Sequence, residues 1–192
     1  MIVNDIRKIK LIDKFGNSVS RKIIFDDYST IKTIFKKNRF KKLIFLLLEN
    51  SYESIVFYLS LLKSGNTIAL ISSNIKLSSL SELVKIYKPN SIITKKKVDL
   101  KNYKEIYKLK DYSCFESNKE YNHDINEELF FLLTTSGSTG SSKFVRISYK
   151  NIENNTKSIT NFLKITSQDK LITTLPPDYT YGFSLLNTHL FK

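Results

Sequence analysis

A chain of 192 residues that is 41% hydrophobic and 12% aromatic is long enough to bury one sizeable core. Its formal net charge of +13 comes from lysines scattered among Asn, Ile and Ser, which reads as compositional bias more than as a shaped nucleic-acid or membrane patch. The longest apolar run, Leu43–Leu48, is strand-sized and excludes a membrane span, residues 1–5 lack the marks of a signal peptide, and the single cysteine, Cys114, excludes an intrachain disulfide. A cytoplasmic protein is expected.

Residues 9–25 alternate polar and apolar around Gly16-Asn17, the pattern of a hairpin. Asp26-Asp27-Tyr28-Ser29 offers caps for a helix carrying Ile31, Ile34 and Phe35 on one side. The densest basic cluster, Lys36-Lys37-Asn38-Arg39-Phe40-Lys41-Lys42, then reads as a solvated helix end. Leu43–Leu48 is apolar throughout, as a parallel strand buried on both faces would be. Glu49-Asn50-Ser51 ends it and caps a helix over residues 52–63, which Gly65 stops.

Residues 67–71 form a second buried strand. Ser78 or Ser79 starts a helix through Tyr87, with Glu82 placed to complete a capping box on Ser79. Pro89-Asn90 breaks it, and Ser91-Ile92-Ile93-Thr94 is a third strand. Strand-helix-strand-helix-strand implies parallel pairing through right-handed crossovers, hence a doubly wound, layered α/β fold with a largely parallel sheet. Residues 95–128 are polar and irregular, hold Lys95-Lys96-Lys97, Cys114 and His123, and read as a variable connection.

The most informative stretch follows. Leu129-Phe130-Phe131-Leu132-Leu133 runs into Thr134-Thr135-Ser136-Gly137-Ser138-Thr139-Gly140-Ser141-Ser142-Lys143. Gly137 and Gly140 let the backbone reach positive φ, so successive N–H groups can form an anion-binding nest. Ser136, Ser138, Thr139 and Ser141 add hydroxyl donors, and Lys143 brings a point charge suited to phosphate. The Walker A spacing is not met, because Gly137 and Gly140 are too close and Lys143 is followed by Phe144. Phe144-Val145-Arg146-Ile147-Ser148 reads as a strand, so the loop joins two strands; a Ser/Gly-rich hairpin turn is the plainer alternative.

This stretch resembles the phosphate-loop signature of the adenylate-forming superfamily: acyl-CoA synthetases, luciferases and the adenylation domains of peptide synthetases. Leu132 to Lys143 follows that signature, with Ser142 where proline is usual and Phe144 where glycine is usual. Leu61-Leu62-Lys63-Ser64-Gly65 and Lys88-Pro89-Asn90-Ser91-Ile92-Ile93-Thr94 resemble packing segments of the same family. Ser148-Tyr149-Lys150-Asn151 matches a helix start at which the family carries histidine in place of Tyr149. The helix after it is expected to turn Ile152, Ile159 and Phe162-Leu163 inward, and a strand is expected over residues 171–175.

Pro176-Pro177-Asp178-Tyr179-Thr180-Tyr181-Gly182-Phe183 resembles the family stretch in which an aromatic or histidine three residues before a glycine lines the acyl pocket. Tyr179 holds that position, so Tyr179, Tyr181, Gly182 and Phe183 are expected at the carboxylate-substrate pocket; a Pro-Pro turn with packed aromatics is the alternative. The resemblance implies ATP-dependent activation of a small carboxylic acid as an acyl-adenylate, with release of pyrophosphate and with Mg²⁺. Thr135, Ser136, Gly137, Ser138, Thr139 and Gly140 would hold the β- and γ-phosphates, and Lys143 would stabilise the departing pyrophosphate. Coenzyme A or a carrier-protein thiol would accept the acyl group.

The family's adenine-binding segment, ribose-binding aspartate and C-terminal catalytic lysine have no match in the sequence. Residues 1–192 are therefore expected to be a partial N-terminal adenylate-forming domain, inactive alone, with a separate C-terminal half as one possible partner. Two other readings stay open: a non-catalytic module that binds nucleotide or a partner, and, as a lesser alternative, a basic nucleic-acid binder.

Overall fold

The computed structural model describes residues 5–13, 15–37, 39–98, 100–134 and 143–191. After a 3₁₀ turn (Ile6–Lys8) the elements run α1 (Arg21–Ile34), β1 (Leu43–Leu48), α2 (Tyr52–Leu61), β2 (Thr67–Ser72), α3 (Leu77–Tyr87), β3 (Ser91–Thr94), β4 (Tyr103–Leu109), β5 (Tyr112–Ser117), β6 (Leu129–Thr134), β7 (Phe144–Ser148), α4 (Tyr149–Phe162) and α5 (Thr180–Phe191). The seven strands form one sheet in the order β4-β5-β3-β1-β2-β6-β7.

Its centre follows from the apolar runs. Every residue of β1 is buried, because β1 lies between β2 and β3 with helices over both faces. β1 pairs with β2 from Leu43↔Thr67 to Leu48↔Ser72, β3 joins through Phe45↔Ile92, and β6 joins β2 through Ala69↔Leu132, all parallel. Alternate residues feed two cores. Ile44, Leu46, Leu48, Ile68, Leu70, Phe131 and Leu133 meet residues of α1, α2, α4 and α5. Leu43, Phe45, Leu47, Ala69, Ile71, Ile92 and Leu132 meet Leu80 and Leu83 of α3. Each fully buried Leu or Ile contributes about 2 kcal/mol by leaving water. The doubly wound, largely parallel sheet is as expected from the sequence.

Several elements differ from expectation. The hairpin over residues 9–25 reduces to one antiparallel bridge, Ile12↔Ser18, closed by Asp13, which accepts the Phe15 and Asn17 N–H groups at 2.9 and 2.8 Å. α1 starts at Arg21, because its buried stripe is Ile24, Tyr28 and Ile31, and the stripe begins before Asp26. α3 starts at Leu77 with Lys76 in the cap position, so no capping box forms on Ser79. The supposed connection over residues 95–128 contains the antiparallel hairpin β4–β5, which extends the sheet beyond β3 through Ile92↔Phe115 and Thr94↔Ser113.

In α4 the inward face is Ile152, Thr156 and Thr160, while Phe162 and Leu163 are exposed. Ser148 and Asn151 form a reciprocal capping box at its start. Residues 171–175 join no ladder. The Asn50 side-chain amide donates to the Thr173 and Leu175 carbonyls at 2.6 and 3.0 Å, taking groups that a neighbouring strand would have used.

Candidate functional site

The parallel strands β3, β1, β2 and β6 all end at one edge of the sheet, the edge at which open α/β folds place ligands. β6 ends at Thr134 and β7 begins at Phe144, and these two residues are paired. The expected phosphate-loop residues Thr135, Ser136, Gly137, Ser138, Thr139 and Gly140 lie outside the described residues. Their flanks in sequence, Thr134 and Phe144, are at the carboxyl edge. Lys143 is exposed and directly precedes β7. The β6 end is fixed by burial of Phe131, Leu132 and Leu133 and, at the far end of the strand, by Lys41. The Lys41 ammonium donates to the carbonyls of Glu127 at 2.6 Å and Leu129 at 2.8 Å, and burial lowers its pKa.

The second expected group sits on the turn before α5 and on its first turn. Gly182 is buried against the chain that precedes it: a Cβ there would collide with the Pro176 carbonyl oxygen and lie 2.9 Å from the carbonyl carbon. Only glycine allows the first turn of α5 to cross the Pro176-Pro177 turn so closely. Phe183 is 2% exposed, with its ring 5.0 Å from Phe131 of β6 and 6.0 Å from Tyr58 of α2. Its ring serves the core and locks α5 to β6. Tyr179 and Tyr181 are 59% and 67% exposed and reach outward. The crevice beside them, lined by Asn50, Leu175, Pro177 and Gly182, holds about 10 Å³, room for a water and not for an organic acid.

Sequence reasoning passed over Asp178. It is 5% exposed, lies beside Ser72 at the end of β2, and burial raises its carboxyl pKa. Asp178 thus buries the turn carrying Tyr179 against the carboxyl edge of the sheet. Asn50, just after β1, ties residues 173–175 to the same edge. No local pattern marks either role, since both partners come from distant segments. Among the described residues no group of three or more His, Cys, Asp or Glu side chains is placed to hold a metal ion.

Residues 37–192 match the family model described as AMP-binding enzyme. The chain belongs to the AMP-binding enzyme family. Among solved structures, apo MatB from Rhodopseudomonas palustris superposes with a TM-score of 0.69 at 17% identity, covering 98% of this chain and 41% of MatB. The AMP complex of O-succinylbenzoate coenzyme A synthetase (MenE) from Bacillus subtilis gives 0.66 at 19% identity, covering 96% of this chain and 50% of that one. A four-domain nonribosomal peptide synthetase bound to AMP and glycine gives 0.69 at 14% identity, covering 97% and 14%. At these identities the likeness is one of fold, and it places this member of the AMP-binding enzyme family over less than two thirds of the length of each of the three. No curated protein matches the sequence. No helix among the described residues is long and apolar enough to cross a membrane.

Proposed function

We propose that the chain supplies the N-terminal, phosphate-binding part of an adenylate-forming domain that activates a small carboxylic acid. The observation that supports this reading is the pairing of Thr134 with Phe144, the strand ends that flank the Ser/Thr/Gly-rich sequence 135–143, at the carboxyl edge of the parallel strands in a member of the AMP-binding enzyme family. ATP-bound MatB and AMP-bound MenE share the fold, which supports ATP as the nucleotide.

In this reading the substrate carboxylate attacks the α-phosphorus of ATP, the bond to the β-phosphate oxygen breaks, and pyrophosphate leaves with the acyl-adenylate formed. Such a transfer is governed by positioning and charge neutralisation. Thr135 to Gly140 supply backbone N–H and hydroxyl donors to the β- and γ-phosphates, and Lys143 neutralises charge as pyrophosphate departs. Tyr179 and Tyr181, on the turn held by Asp178 and Gly182, form one wall of the acid pocket; Phe183 holds that wall in place from the core side. The described residues offer no carboxylate cluster for Mg²⁺, so the ion is assigned to the nucleotide and no step is routed through a protein site. Coenzyme A or a carrier-protein thiol is the proposed acceptor.

The test is equilibrium binding of Mg-ATP to the chain, followed by a screen of carboxylic acids for pyrophosphate release from the full-length product. Lys143→Ala is expected to weaken ATP binding about tenfold, the loss of one charge-assisted contact. Unchanged ATP affinity in Lys143→Ala removes Lys143 from the site. Acid-independent pyrophosphate release counts against carboxylate activation.

A further inference from the structure

The face of the sheet that carries α3 is incompletely covered. Leu80 and Leu83 of α3 pack over β1, β2 and β3, but the same face of the β4–β5 hairpin has no helix of its own. Register puts Phe115 beside Glu105, and Ser113 beside Lys108, on that bare face, while Tyr112 and Cys114 point into the opposite core. The loop after β3, Lys95 to Val98, stands as a wall along it. The result is an open basin of about 940 Å³ with Phe115 and Val98 as apolar surface and Lys95, Lys96, Lys97 and Lys108 around them.

Charge is concentrated here. Residues 95–110 carry seven lysines against Asp99 and Glu105, a net of +5 out of the +13 of the whole chain. Lys95 and Lys110 are paired with Glu49 and Glu53, but Lys96, Lys97, Lys101, Lys104 and Lys108 have no ion pair among the described residues. Glu105 and Asp111 also line the basin and only partly offset its four lysines. β5 lies four interstrand steps from β6, about 19 Å, so the basin is displaced along the sheet from the end of β6.

We infer that this basin is a docking surface for an acidic amphipathic helix of a partner protein, which completes the helical layer that α3 leaves unfinished. The two requirements are an apolar stripe to cover Phe115 and Val98, and carboxylates flanking that stripe to meet the lysines. A helix about 10 Å across matches the uncovered width of two strands. Nucleic acid needs the charge but not the stripe; an anionic membrane needs a flat or convex face.

The experiment titrates the full chain into a fluorescein-labelled helical peptide of about 18 residues, five turns, with leucines on one face and glutamates elsewhere. The comparison probes are a peptide of the same composition in scrambled order and a dT oligonucleotide of similar charge. The ordered peptide is expected to bind about tenfold more tightly than either. The triple variant Lys96→Glu, Lys97→Glu, Lys108→Glu is expected to lose that binding while retaining its circular dichroism. Because these side chains are on the surface, the fold has no reason to fail; chemical-shift changes confined to residues 95–98 and 113–115 give a second, mutation-free readout. Equal binding of the scrambled peptide, tighter binding of the oligonucleotide, no saturable binding below about 1 mM, or an unaffected triple variant would each overturn the assignment.

Discussion

Asp178 and Gly182 bracket the turn that carries Tyr179 and Tyr181, and each has a testable consequence. Burial raises the Asp178 carboxyl pKa in the folded chain, so the folded state disfavours its charge. Above the raised folded pKa this is a destabilising contribution; it is relieved as pH falls through that value and is fully gone below the unfolded pKa. Asp178→Asn keeps the shape of the side chain and removes the charge. It is expected to be more stable than the parent at neutral pH, with the advantage shrinking on acidification; urea midpoints across pH measure this, and a pH-independent difference refutes it. Gly182→Ala forces a methyl into the Pro176 carbonyl and is expected to cost roughly 1–3 kcal/mol, the usual penalty for overpacking. An unaltered urea midpoint would show that the turn yields without cost.

At the level of elements, α5 is joined to α2 by a buried hydrogen bond: the Tyr58 hydroxyl donates to Asn187 Oδ1 at 2.6 Å. Tyr58→Phe leaves that oxygen unpaired and should lower stability by about 1–3 kcal/mol in chemical denaturation, more than loss of the hydroxyl's area alone. The elements legible in the sequence were those with unambiguous burial. Leu43–Leu48 is apolar at every position because both faces are covered, and β2 and β3 share the reason. β4 was not legible, since Lys104, Glu105 and Lys108 interrupt Tyr103-Lys-Glu-Ile-Tyr-Lys-Leu on an edge strand with one wet face. Residues 171–175 mislead in the opposite sense: they have strand composition, but a side chain, Asn50, takes their carbonyls. For the site, the signature named the loop and the aromatic turn, whereas the burial of Asp178 brings it beside Ser72, more than a hundred positions away.

For the whole molecule, Cys114 reports on the integrity of the sheet. It is 0% exposed in the core on the α2 side, and burial pushes its thiol well above the usual range, so it should stay inert to thiol reagents until the fold opens. Its labelling rate across urea concentrations should follow global unfolding; rapid labelling in native buffer would show that the β4–β5 hairpin detaches on its own. The pairing of β2 with β6 also has a consequence for synthesis. Ile68 meets Phe131, and the residues between them build α3, β3, β4 and β5 first. A ribosome-bound chain that has not yet extruded Phe131 carries β1 and β2 with one long apolar strand edge bare. In that interval the nascent chain is most open to pairing with another copy of itself. The translation speed of codons 73–130 therefore bears on yield as much as the stability of the finished protein does.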